Sequence, residues 1–251
     1  MQEAFRRHLI ANHKFYVEQA KKRLLSQFSD ISGEADKFVG QWLDEHSHLY
    51  DPSFHGPGDF EQLAYDESIE FYGLLQQMHG DTRLSVLAGM FHQWDKRVRD
   101  WLARELTNRF LVPKAKAAVW DANFVQLFEL MDSFGWRMRE QEYFGHLDTC
   151  RLLVNVYKHG PGTSFDDIKN QHPEYLKSAV GGVLGAEREL RYADNTNLKV
   201  GDEDVDRFSN AVIAFWECVP TTTLISQITT TPAWFSKALE KDIAIGSRGG
   251  K

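Results

Sequence analysis

The chain has 251 residues, 42% of them hydrophobic and 26% charged, which supports a sizeable core and excludes an intrinsically disordered chain. Its net charge is −7 and its pI is near 5.8, so a general nucleic-acid coat is excluded and any contact with RNA or DNA has to use a local patch. No apolar run approaches the ~18 residues of a membrane span, and the two cysteines, Cys150 and Cys218, have no CxxC partner. Both read as reduced core thiols, and the expected location is the cytoplasm, with no membrane partner. The first residues, Met1-Gln-Glu-Ala-Phe-Arg-Arg, carry charge without an apolar stretch and do not read as a secretory leader.

Helical periodicity predicts one long helix over residues 2–29, with Leu9, Phe15, Val17, Leu24, Leu25 and Phe28 spread along it. Ser32-Gly-Glu opens a second helix that reaches about Tyr50 through Phe38, Val39, Trp42 and Leu43. Asp51 to Asp59 is a loop on its Pro and Gly content, and Asp59 caps a third helix to about His79. Gly80-Asp81 reads as a break. Asp81 or Thr82 then caps a fourth helix through Trp94 and Trp101 to about Phe110.

Pro113 and the Lys/Ala run after it read as a connector, followed by a helix over 120–133 that Gly135 ends. The next helix starts near Arg139 and stops at Gly160-Pro-Gly162; a short one follows over 165–171, capped by Thr163 or Ser164. Residues 179–203 are the least helical stretch, where Glu189 to Tyr192 and Leu198 to Val200 could pair as a small hairpin. Asp202 or Asp204 caps a last long helix to Val219, and Pro232 opens a short one over 232–241. The tail 246–251 reads as disordered. The expectation is an all-α protein: a helical bundle with long helices and a small irregular C-terminal insertion, in a single domain over 1–251.

One predicted helix is unusual in its polarity. Successive residues turn by about 100°, so with Arg151 at zero, Asn155 stands near 40°, Asp148 near 60°, His159 near 80° and Lys158 near −20°. The other positions, Cys150, Leu152, Leu153, Val154, Val156 and Tyr157, are apolar or aromatic. Such a helix is largely buried, and its polar stripe has to face solvent, a cleft or a partner. The solvated side of a buried helix looks the same. The side chains available are nevertheless those of phosphate chemistry: an imidazole that exchanges protons near neutral pH, a guanidinium that holds phosphate through two hydrogen bonds, an amide, and an ammonium for developing charge. Together they suit metal-free cleavage of RNA, in which the 2′-hydroxyl attacks its own phosphate.

The run Arg151-Leu-Leu-Val-Asn155-Val-Tyr-Lys158-His159-Gly160-Pro-Gly162, closing a helix in a helical chain, resembles the signature region of HEPN domains with an Asn-x-x-Lys-His-Gly ending. The resemblance covers about a dozen residues directly, and the helical layout extends the analogy to roughly residues 60–220. It implies a metal-independent endoribonuclease of a toxin–antitoxin or abortive-infection (antiviral) system, with an Arg and a His on one helix as the active site. It also implies a homodimer whose two helices share one cleft. An antitoxin or another defence-complex protein is the implied further partner. By that resemblance His159 is the general acid/base, Arg151 the phosphate holder and Asn155 the polar residue between them. Seven residues separate Arg151 from His159, against four to six in the family, which places them ~12 Å apart along the helix. The competing expectation is a non-catalytic HEPN-like module that binds nucleotide or RNA, or joins a defence complex.

Lys158 and Asp148 from the stripe, with Lys96 and Arg99 from the long fourth helix, complete the expected substrate-binding set. Asp95 and Arg99 form an i,i+4 pair, and this charged face either lines the same cleft or is a salt-bridged surface. No metal or cofactor is expected: Asp44, His46 and His48 lack a ligand spacing, and no GxxxxGK[ST] or GxSxG occurs.

Overall fold

The computed structural model describes residues 1–107, 112–178 and 186–248. Among these the protein is all-α, with ten α-helices and no strand.

Helix α1 (Glu3–Arg23) ends in a 3-10 turn over Leu25–Phe28, so the expected single helix is two pieces. It buries Leu9, His13, Val17 and Ala20, and leaves Phe15 and Leu24 exposed. Helix α2 (Ile31–His46) is capped by Asp30, whose carboxylate accepts from the Gly33 N–H at 3.1 Å.

The largest departure from the sequence pattern is α3 (Asp59–Thr107), one continuous helix of 49 residues. At 1.5 Å per residue it is about 74 Å long. The expected break at Gly80-Asp81 does not occur. An interior Gly costs only about 1 kcal/mol against Ala, and neighbouring packing outweighs it. His79 is buried, with its ring stacked on Phe28 at 4.7 Å. Thr82 donates its hydroxyl back to the Met78 carbonyl at 2.7 Å instead of capping a new helix. Asp59 is the first helical residue, and its carboxylate accepts from the Gly56 N–H at 2.7 Å. The expected end near Phe110 lies outside the described residues. Where α1 crosses α3, a Cβ at Gly89 would overlap the Tyr16 hydroxyl, so glycine permits the close approach.

The expected connector after Pro113 is a helix, α4 (Pro113–Asp121). Pro stands at its first position, where the missing N–H costs nothing, and the Lys/Ala run favours helix. Val112 cannot cap it, so Asp242 from the far end of the chain does: its carboxylate accepts from the Lys114 and Ala115 N–H groups at 3.0 and 2.8 Å. Helix α5 (Phe124–Ser133) starts with an Asn123–Gln126 capping box. Then come α6 (Glu142–His159) and α7 (Thr163–Gln171), joined by Gly160 and Gly162. Gly160 has φ 74° and ψ −142°, a conformation open essentially to glycine.

The expected hairpin of 189–200 is corrected. Helix α8 (Ala186–Tyr192) occupies its first limb, packing Leu190 against the core and burying Glu189 and Ala193. Leu198 instead pairs with Leu176 in a single antiparallel bridge. Residues 179–185 lie outside the described set. Helix α9 (Asp202–Cys218) follows, with Asp204 accepting from the Gly201 N–H at 2.8 Å. Helix α10 (Ala233–Arg248) is longer than the expected 232–241 and takes in 246–248 of the expected disordered tail.

Most of the buried residues form one core running from α1 to α10. Its centre is aromatic: Trp94 meets Phe215 edge-on at 5.2 Å, and Phe128 packs on Phe124 and Phe144, both at 4.8 Å. Both cysteines are free thiols, and burial pushes the Cys150 thiol far up. No described helix is long and apolar enough to cross a membrane.

His13 sits in this core, its Nε2 at 2.9 Å from the Ser209 hydroxyl, and burial lowers its pKa from 6.5 to about 4. The unfolded chain therefore binds this proton more tightly than the folded one. The stability His13 confers is complete above pH 6.5 and is lost as pH falls from there toward 4. Between pH 7.5 and 5 the expected loss is about 2 kcal/mol, which urea denaturation of wild type against His13→Gln isolates, since Gln cannot titrate. Separately, Asp242→Ala should cost about 1–2 kcal/mol in the same assay by leaving the start of α4 uncapped.

Candidate functional site

Helix α6 is buried along every position predicted to be apolar except Tyr157, whose hydroxyl lies 2.7 Å from that of Ser85 on α3. Contacts with α3, α7 and α9 account for this burial. The polar stripe emerges as drawn by the helical arithmetic: Asp148, Arg151 and Asn155 are half-buried, and Lys158 and His159 are exposed.

Beside the stripe lies a cleft of about 440 Å³, lined from α3 by Phe91, His92, Asp95 and Arg99 and from α6 by Arg151 and Asn155. Asn123, Phe124 and Val125 at the start of α5 complete it. The two helices singled out by their charged faces thus share one cavity wall.

Each cation in the cleft has a definite partner. Arg151 donates Nε to Asp148 Oδ1 at 2.7 Å, and its guanidinium lies over the Phe124 ring at 5.5 Å. Asp148 is therefore the rim partner of Arg151. Arg99 is bound more fully. It makes a two-pronged pair with Asp95 at 2.8 and 3.0 Å, and its Nη1 donates to the carbonyls of Val119, Trp120 and Ala122 at 3.1, 2.9 and 2.6 Å. Those carbonyls close α4, so Arg99 works as a strut between α3 and the end of α4. Asn155 donates Nδ2 to the Ser164 hydroxyl at 3.3 Å, tying the stripe to α7.

His92 was not among the residues selected from the sequence. Its signal was present: His92, Asp95, Lys96 and Arg99 stand at i, i+3, i+4 and i+7, which is one helix face. Burial lowers its pKa, and Lys158, Lys96 and His159 push the same way against Asp95. Three residues that do not line the cavity, Lys96, Lys158 and His159, therefore still act on its one imidazole. A ring of lowered pKa is neutral at pH 7 and suited to accept a proton.

His46, the last residue of α2, is engaged otherwise. His46 places Nδ1 2.8 Å from the Trp42 carbonyl and stacks on the Trp42 ring at 4.2 Å. Among the described residues no three His, Cys, Asp or Glu side chains converge as metal ligands.

Compared with protein-family models, curated proteins and solved structures, the chain matches none.

The His92 field can be checked directly. In an NMR titration the His92 ring should titrate below the ordinary 6.5; Lys158→Gln should raise its pKa, and Asp95→Asn should lower it further. Equal values in all three proteins would mean that these charges do not share a site.

Proposed function

We propose that the protein is a metal-independent endoribonuclease of HEPN type, acting as a toxin or abortive-infection effector in antiviral defence. The observation that carries the reading is the cleft, where two helices bring a depressed-pKa His92 together with Arg151 and Asn155, in the field of Lys158. In the proposed reaction a base takes the proton of the RNA 2′-hydroxyl. The 2′-oxygen attacks the adjacent phosphorus, the bond to the 5′-oxygen breaks, and an acid protonates the departing oxygen. The products are a 2′,3′-cyclic phosphate and a 5′-hydroxyl.

His159 is assigned general acid/base chemistry by the HEPN resemblance, and His92 is the second imidazole that the two proton transfers call for. Arg151, Lys158 and Lys96 neutralise the phosphate, and Asn155 orients it. Arg99 stays with the fold, its donors spent on Asp95 and the end of α4. A homodimer, as the resemblance implies, offsets the seven-residue spacing: two α6 helices facing across a two-fold axis set the Arg151 of one copy near the His159 of the other. The exposed Lys158 and His159 are free to enter such a composite cleft.

A second reading, a non-catalytic HEPN-like module that binds RNA or joins a defence complex with an antitoxin or other protein, draws on one observation. Arg151 is held by Asp148 and Phe124, so phosphate has to compete for it.

The two readings separate in one assay. Purified protein is incubated with structured and unstructured RNAs in EDTA. The enzyme reading expects cleavage with cyclic-phosphate ends, lowered by about 10²–10⁴-fold in His159→Ala and in His92→Ala. RNA retention without cleavage by the wild type establishes the binding module instead.

A further inference from the structure

We propose that the helical arm formed by residues 31–78 is a docking surface for a basic, amphipathic helical segment of another protein. This inference is independent of the ribonuclease reading and uses a different part of the molecule.

The arm is α2 laid antiparallel along the first part of α3. It has its own small zip of buried residues, Ile31, Ala35, Phe60 and Ala64, which stand apart from the main core. Phe38 on α2 stacks on Phe71 of α3 at 4.5 Å, and the tip loop closes over Phe60 through Tyr50 and His55. Two helices joined this way can cover only one side of each.

One flank of the uncovered side of α3 is apolar. Along α3, Leu63, Tyr65, Ile69, Tyr72, Leu74 and Met78 are all exposed, Tyr65 at 57% and Met78 at 60%. Tyr65, Ile69 and Tyr72 fall at i, i+4 and i+7, a single stripe of the kind that a partner helix reads with matching anchors. Scattered exposed apolar residues are ordinary; here three large ones stand within an arc of about 60° and about 11 Å of one helix, and aligned exposed side chains of that kind mark interaction sites.

Charge decides the occupant. Residues 31–78 hold ten carboxylates and one basic residue, Lys37, a net of −9, while the whole chain is −7. The remaining 203 residues therefore carry a net +2. Asp66 and Glu70, both exposed, stand beside the Tyr65/Ile69/Tyr72 stripe on the solvent side of α3, so negative charge flanks it, and Leu63 and Leu74 lie beyond that charge, about half a turn away. A second copy of the arm would set −9 against −9, and RNA or an anionic lipid surface would be repelled for the same reason. The complement is a helix with an apolar seam flanked by Lys and Arg, for which both terms are favourable.

The test uses the full-length protein and a labelled peptide of about 18 residues, built from Leu and Lys in a helical amphipathic pattern. The comparison probes are a scrambled Leu/Lys peptide of equal composition and a Leu/Glu peptide with the same pattern. Fluorescence anisotropy at about 0.15 M salt should show binding of the patterned Leu/Lys peptide, with at least about tenfold weaker binding of the scrambled one and none of Leu/Glu. The triple variant Tyr65→Ser/Ile69→Ser/Tyr72→Ser leaves the net charge unchanged and should weaken binding by about tenfold or more, whereas Phe15→Ser on α1 should not. Ile69→Arg alone, at an exposed position, should weaken it too and guards against misfolding of the triple variant. Equal affinity for the scrambled peptide, undiminished binding by the variants, or failure of the patterned peptide to bind overturns the proposal. Sedimentation in which the wild type is a dimer and the triple variant a monomer also overturns it, because the second copy is then the occupant.

Discussion

The uninterrupted hydrogen-bond ladder of α3 is the constraint from which the rest of the structure follows. Its 49 residues serve two surroundings: the first part stands in a two-helix arm, and the second is built into the main core through Leu87, Met90, Trp94 and Val98. A break at Gly80 would let those parts rotate independently. A continuous helix fixes their phase, since each residue adds about 100° of turn. The faces presented by the arm and by the cleft are therefore set by residue number alone. His79, buried against Phe28 where the arm meets the body, supplies packing at the point where Gly80 gives up helix propensity.

The cleft is built by a chain of contacts that begins on this helix. Asp95 holds Arg99, and Arg99 binds the carbonyls that close α4. The end of α4 delivers Asn123 to cap α5, and the first residue of α5, Phe124, puts its ring under Arg151. Arg151 then reaches Asp148 on its own helix. Positioning Arg151 thus depends on a strut two helices away, and α4 is held at both ends by side chains distant in sequence, Arg99 and Asp242. Short helices are marginal alone, and at nine residues α4 relies on such tertiary caps.

Much of this could be read in the sequence, and what could not has identifiable causes. The all-α class, α6 with its single polar stripe, and the stop at Gly160 followed from periodicity and from one backbone position that suits glycine. Gly80 misled because glycine is only a weak breaker, and tertiary burial decides such cases. The Lys/Ala run after Pro113 was only faintly legible as a helix because its buried side rests on Ala115 and Val119 alone and its cap, Asp242, comes from 127 residues away. The expected hairpin failed because its first limb, residues 189–192, lies in α8, and Leu198 of the second pairs with Leu176 instead. In the site, the α6 stripe and the charged face of α3 were legible as separate faces. Their meeting was not, because it depends on how α3 and α6 cross. His92 was overlooked for that reason: its chemistry comes from burial and from lysines on two helices.

The net charge of −7 conceals a division that matters more than its value. A strongly negative arm and a slightly positive body meet along one helix, and about 8 Å of ionic screening separates their fields over most of its length. The charge felt in the cleft is consequently local, set by Lys96, Lys158 and Arg151 against Asp95 and Asp148. On an ideal helix the Tyr65/Ile69/Tyr72 stripe and the His92/Arg99 face lie about half a turn apart. An anionic ligand entering the cleft and a cationic helix lying along that stripe would approach α3 from opposite sides. Neither would cross the other's field, so the rigid helix can carry both at once, and any coupling between them has to travel through α3.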